Sequence, residues 1–282
     1  MDGFLLINKP KGLTSHDVVY KVKKKLKIDK IGHTGTLDPF ASGLLILCLG
    51  KATKLAYLFS NLDKAYEGTV VFGNHYDTYD TTGTILNSNQ PSFNQIELER
   101  AVSSMVGTYD QIPPMYSAIK MGGKKLYELA REGIEIERES RTVTIDRFDI
   151  ISPLKNNEFS FSIYVSKGTY IRSIAVDLAE KLNTYAALSE LKRVSVGSYL
   201  LSHAKNIEDI DNSDIISLDN YFSGTQSIVL NEYMIKLVRN GVYLDQRQID
   251  TDKPFLVKNE NGESIAYYEV IAINQYKPII IF

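Results

Sequence analysis

The chain of 282 residues has no tryptophan and only one cysteine, Cys48. A single cysteine excludes an internal disulfide and any cysteine-based metal cage, so Cys48 reads as a small buried apolar residue. No apolar run approaches the roughly 20 residues of a membrane span. The first residues also lack the basic and apolar regions of a secretory signal. The cytosol is the expected address, with no membrane partner. Neither a Walker loop nor a dinucleotide fingerprint occurs, which removes two large classes of nucleotide enzymes. No repeat of about 20–50 residues is present, so solenoids and propellers are excluded as well. Charge of neither sign dominates: the net charge of −2 gives no global attraction to nucleic acid.

The charge that is present is unevenly spread. Residues 1–60 carry ten Lys or Arg against four Asp or Glu, whereas Ile207 to Glu232 carries six acids and no base. Ser15-His16-Asp17 opens a helix with an apolar stripe of Val18, Val19, Val22 and Leu26. Its other face carries Lys21, Lys23, Lys24, Lys25 and Lys27, either a plain solvated surface or a local basic patch of the kind that sets phosphate attraction. Hydrophobic content of 44% and charged content of 23% are those of an ordinary globular protein, and the length suggests about two domains.

The remaining pattern is α+β. Phe4 to Ile7 reads as a strand, and Leu44 to Leu49 as a strand buried on both faces. Gly50 to Ser60 reads as a helix and Tyr66 to Phe72 as an alternating strand. Ser92 and Gln95 form a capping box for a helix through Val106, with Ile96, Val102, Met105 and Val106 on its inner face. Gly122-Gly123 precedes a helix from Lys124 to Arg131, which Gly133 ends. Arg141 to Ile151 is β-rich, and Phe159, Phe161, Ile163 and Val165 alternate on one face. Tyr170 to Leu182 is helical. Ser202 to Asp214 and Ser223 to Gln226 read as loosened chain. A helix from Asn231 to Arg239 then leads into strand-like pieces ending at Phe282.

The segment with most chemical content is Gly32-His33-Thr34-Gly35-Thr36-Leu37-Asp38-Pro39-Phe40-Ala41-Ser42-Gly43. It hangs one carboxylate on a glycine-punctuated loop directly before the buried strand. Pro39 holds Asp38 extended, and Gly35 and Gly43 permit turns that other residues resist. This segment resembles the catalytic motif of the TruB-type tRNA pseudouridine synthases. Five further segments match that family in order and spacing from about residue 3 to residue 200. They are Lys9-Pro10-Lys11-Gly12-Leu13-Thr14-Ser15, Lys64-Ala65-Tyr66-Glu67 with the Asp77 to Gly83 turn, Gln111 to Lys120, Ser166 to Ser173, and Leu188 to Gly197.

The resemblance implies a pseudouridine synthase fold: a mixed, mainly antiparallel central sheet with flanking helices, followed by a small β-rich PUA-like domain. Residues 1–224 would be the catalytic domain and 225–282 an RNA-binding domain, or else a β extension that only stabilises the first. Residues of about 109–141 would form a thumb-like insertion that clamps RNA. The implied reaction flips the T-loop uridine out of its stack, breaks N1–C1′, turns the base and joins C5 to C1′. It needs no cofactor and no metal. Asp38 is the implied catalytic carboxylate, attacking C6 or C1′ or assisting elimination through C2′. Arg172 would pair with it, lower its pKa and fix its direction, with Asp80 on the other side of the ion-pair network. Tyr66 would lie against the target base, Tyr170 and Leu191 would line the pocket, His33 would hold the RNA loop open, and Lys9 would contact substrate. The expected partner is the T-arm of tRNA, with the protein a monomer that has no obligatory protein partner. Two alternatives are a guide-RNA-dependent synthase subunit and a non-catalytic RNA-folding or ribosome-assembly factor on the same fold.

Overall fold

A computed structural model describes all residues, 1–282. A ten-stranded sheet is built from strands between Gly3 and Ser217. Across it lie Ile216–Ser217, Gly3–Lys9, Ser42–Leu49, Ala186–Val196, Lys64–Phe72, Glu158–Val165, Arg141–Ile150 and Gly107–Gln111. Ile31–His33 and Tyr199–Leu200 pair beside this path. All neighbours are antiparallel except Ser42–Leu49 and Ala186–Val196, which meet in parallel over only two pairs, Lys192 with Ser42 and Arg193 with Gly43. The α+β, mainly antiparallel architecture expected from the sequence is therefore the one observed.

Strand Ser42–Leu49 shows why a continuous apolar run belongs at the centre. Side chains alternate across a strand, so one run supplies two cores. Leu45, Leu47 and Leu49 enter a cluster with Leu5, Ile7, Val18 and Val22. Leu44, Ile46 and Cys48 enter a second cluster with Phe4, Phe59 and Leu55 on the opposite face. That second cluster is completed by Leu256, Tyr267 and Ile280 from a separate five-stranded sheet. This sheet runs Ser227–Val229, Phe255–Lys258, Ser264–Ala272, Gln275–Ile281 and Leu244–Asp245, with helix Glu232–Arg239 packed on it through Ile235 and Val238. No helix is long and apolar enough to cross a membrane.

Several local expectations are corrected. Helix Ser15–Leu26 opens at Ser15 as expected, and its cap is Thr14, whose side chain closes a capping box with Asp17. Helix Gln95–Ser104 starts from an Asn94–Glu97 box instead of Ser92–Gln95. Val102 and Met105 face inward as expected, joined by Leu98 and Ala101, whereas Ile96 and Val106 are exposed. Phe93 fixes the entry, packing edge-on against Phe72 in the cluster that holds Leu98. Gly50–Leu55 is a 3-10 helix, and only Ala56–Ser60 is α. Gly122 and Gly123, both at positive φ, turn a hairpin between Lys120–Met121 and Lys124–Lys125, so the helix begins at Leu126. The polar stretch 202–214 is not loose: it buries Ile207 and Ile210 and exchanges backbone bonds with Leu6 and Asn8 through Lys205.

Candidate active site

The loop bearing Asp38 is tied down on both flanks. The Ser15 hydroxyl accepts from the Leu37 amide at 2.9 Å and donates to the Leu37 carbonyl at 3.1 Å. Gly12 N–H donates to the Pro39 carbonyl at 2.7 Å. The segment Lys9 to Ser15 thus braces the loop from below. Lys9, expected to contact substrate, lies fully buried and does not line the cavity. Its ammonium donates to the carbonyls of Leu13 at 2.6 Å and Pro10 at 3.0 Å, which makes it a brace of that segment. Burial pushes its pKa down to about 8, with the Asp38 charge pulling the other way.

Arg172, in the first turn of helix Ile171–Lys181, is the hub. Its Nε lies 2.8 Å from Asp38 Oδ2 and its Nη2 donates to Oδ1 at 3.1 Å, a two-point grip on the carboxylate. Nη1 donates to the Thr78 carbonyl at 2.9 Å and Nη2 also to the Tyr116 carbonyl at 2.8 Å. One buried guanidinium therefore gathers three loops. The start of its helix is fixed in turn by Gln111, whose amide accepts from Tyr170 N–H at 2.8 Å and donates to the Tyr170 carbonyl at 3.1 Å. Gln111 also donates to the Tyr109 hydroxyl, which donates to Asp177.

Asp38 keeps a third of its side chain open, and that third faces a cavity of about 350 Å³. Burial pushes its carboxyl above the usual carboxylate range; Arg172 pulls it back down, and the nearby Asp80 charge adds to the rise. The net direction is up, opposite to the lowering expected from Arg172 alone. Asp80 itself does not touch Arg172. Its carboxylate accepts from the Thr82 amide at 3.0 Å and from the Thr82 hydroxyl, closing its own turn, so the expected two-sided ion-pair network reduces to the single Asp38–Arg172 pair.

The cavity wall brings together Asp38, Tyr66, Tyr170, Arg172 and Leu191 from separate stretches of chain. Tyr66 is buried on strand Lys64–Phe72, and its hydroxyl makes no hydrogen bond within the protein. Burial raises the Tyr170 phenol. His33 stands one residue outside the wall, its ring edge-on to His16 at 6.3 Å and its Nδ1 buried without a partner. Arg193 is a wall residue that sequence reasoning left without a role. It is fully buried, with Nε donating to the Leu44 carbonyl at 2.8 Å and Nη2 to the Gly35 carbonyl at 3.1 Å. Its backbone also crowds Gly43, where an added Cβ would lie 2.3 Å from the Arg193 carbonyl oxygen.

A buried strand, a carboxylate loop gripped by arginine, and an aromatic and apolar wall thus make one site, and comparison with known proteins gives the class of enzyme that carries it. Residues 23–171 match the family model for the N-terminal domain of the TruB family pseudouridylate synthases. The curated protein of Acholeplasma laidlawii (strain PG-8A) named tRNA pseudouridine synthase B is 51% identical over 277 residues, 98% of each chain. Its namesake from Onion yellows phytoplasma (strain OY-M) is 49% identical over the full length of both. Among solved structures, the one described as "Crystal Structure of a Cbf5-Nop10-Gar1 Complex" aligns with a TM-score of 0.69 at 21% identity, covering 99% of this chain and 83% of that one, a likeness of fold. The chain belongs to the TruB family of pseudouridylate synthases.

Proposed function

We propose that this enzyme isomerises the T-loop uridine of tRNA, position 55, to pseudouridine, acting alone as a cytoplasmic monomer without a cofactor. The observation that carries the reading is the Asp38–Arg172 pair. Asp38 is the one carboxylate on the cavity wall, aimed by two nitrogens of a buried guanidinium, with Tyr66, Tyr170 and Leu191 around it. The full-length relatives named tRNA pseudouridine synthase B support tRNA as the substrate.

In this reading the target uridine leaves its stack and enters the cavity, where Tyr66 lies against the base and Tyr170 and Leu191 exclude water. Asp38, ionised, attacks the substrate or stabilises the sugar cation as N1–C1′ breaks. The base turns, C5 bonds to C1′, C5 loses its proton and N1 gains one, so nothing enters or leaves overall. Arg172 fixes the direction of the carboxylate throughout. The unpartnered Tyr66 hydroxyl is free to move the C5 proton directly or through a water. His33, at the rim, holds the vacated RNA loop open. The segment of about 109–141 clamps the arm as a thumb, and the C-terminal sheet of 225–282 adds a PUA-like RNA contact. The test is to incubate the purified protein alone with unmodified T-arm RNA and map pseudouridine. Conversion at the T-loop uridine supports the reading; no conversion without a guide RNA or a protein partner sinks it.

A further inference from the structure

The cavity wall carries four cations, Lys64, Arg141, Arg172 and Arg193, against the single carboxylate of Asp38. Asp38 is engaged by Arg172, which leaves the others without an acid on the wall. Arg193 is only 2% exposed, and its guanidinium is anchored on two backbone carbonyls, those of Leu44 and Gly35. Its Nη1 makes no hydrogen bond in the protein and is the corner turned to Gly35, where a Cβ would lie 3.6 Å away. Lys64 is held in a similar way, donating to the carbonyls of Ser60 at 3.0 Å and of Leu62. The two cations feel each other: burial first, and then Arg193, pushes Lys64 down to about 8, with Asp63 pulling up and Lys167 adding to the fall. Lys9 also lies within the field of Arg193, but it does not line the cavity.

Two like charges lining one cavity, whose only wall carboxylate is already held by Arg172, are costly, and such a pair signals a counter-charge supplied by the ligand. We propose that Arg193 and Lys64 form a cradle for a phosphodiester flanking the target nucleotide, holding the flipped residue by its backbone while Asp38 addresses the ribose or base. The assignment rests on the RNA reading above. A uracil carbonyl is neutral and would not offset two cations, whereas a phosphate oxygen pair matches a guanidinium edge and a point-charge ammonium. The anchoring on main-chain carbonyls keeps both cations in place before substrate arrives.

The experiment is a cycle between enzyme and RNA. T-arm RNAs carry a neutral methylphosphonate on the 5′ or the 3′ side of the target uridine. Wild type, Lys64→Gln and Arg193→Lys are compared for filter-binding affinity and single-turnover rate, with thermal melts to check folding. Lys64→Gln carries the test alone if Arg193→Lys does not fold. On unmodified RNA we expect Lys64→Gln to weaken binding about tenfold and to flatten the log K against log salt slope by about 0.7, the value for one phosphate of a single strand. At one of the two positions the methylphosphonate should weaken wild type about as much, and Lys64→Gln should then add nothing further. Fully additive losses at both positions, or a wild type indifferent to both, would overturn the cradle. A wild type that binds the T-arm but makes no pseudouridine would instead overturn the function, and the cycle read in binding alone would still decide the cradle.

Discussion

A single guanidinium holds both oxygens of Asp38, and that fixes what neighbouring substitutions do. Asp38→Asn keeps the size of the side chain and removes its charge. We expect it to abolish pseudouridine formation while leaving the fold and most tRNA affinity, as read by mass spectrometry of the RNA and by filter binding. Arg172→Lys keeps the charge and loses the fork, so the carboxylate is no longer aimed; single-turnover rate should fall about 100-fold and binding much less. Equal losses in both would make Arg172 a phosphate contact instead. The acid side follows from the raised pKa of Asp38. The ionised form works, so the rate falls as pH drops through that pKa, and the limb should lie above the usual carboxylate value of about 4. Removing the opposing charge in Arg172→Gln should move that limb to still higher pH. A limb at or below the ordinary value in wild type would remove the burial argument. Tyr66→Phe strands no partner, because the hydroxyl has none in the protein. It should melt with wild type, bind and flip the base, and turn over poorly, whereas Tyr66→Leu should lose flipping too.

At the scale of elements, the site depends on the short parallel junction between Ser42–Leu49 and Ala186–Val196. Gly43 sits there at φ +105° with the Arg193 backbone against it. Gly43→Ala combines strain with overlap, and we expect it to destabilise the protein by about 3 kcal/mol or more in thermal or denaturant melts and to lose activity with it. The strand itself was legible because six successive apolar residues leave no other place for it than the centre. Asp38, Tyr66 and Arg172 were legible as motif members, and the structure places all three on one cavity wall. Other residues misled for stated physical reasons. Lys9 was expected to contact substrate; here two carbonyls hold its ammonium inside the Lys9 to Ser15 segment. Asp80 reads as an ion-pair partner, yet its nearest donors are in its own turn. Arg193 follows Lys192 in a strand, and its sequence context gave it no role. Only the carbonyls of Leu44 and Gly35, roughly 150 residues upstream, make it an interior group. The helix near residue 95 shifted by two because Asn94 and Ser92 are equally good caps on paper, and Phe93 decides between them by packing.

For the molecule as a whole, the C-terminal sheet is more than an appendage. Its Leu256, Tyr267 and Ile280 close the core that Phe4, Leu44 and Phe59 begin, and Phe222 stacks on Tyr267 at 4.5 Å. Deleting 225–282 would open that core to water. We expect the truncated chain to melt at least ten degrees lower, about the shift that three to five kcal/mol gives a domain of this size, or to aggregate, and not simply to lose RNA affinity. A truncated chain as stable as the full one would show that the two sheets are energetically independent. Arg172 has a consequence of another kind. The groups it gathers lie 134, 94 and 56 residues away along the chain, at Asp38, Thr78 and Tyr116. Closing loops of that length is entropically slow and is rewarded only once the distant segments have docked. We therefore expect catalytic competence to be a late event of folding. During refolding from denaturant, secondary structure and compaction should return first, and turnover should appear only with the slowest phase. A chain still emerging or half assembled would be harmless to RNA, since the residue that arms the carboxylate arrives last.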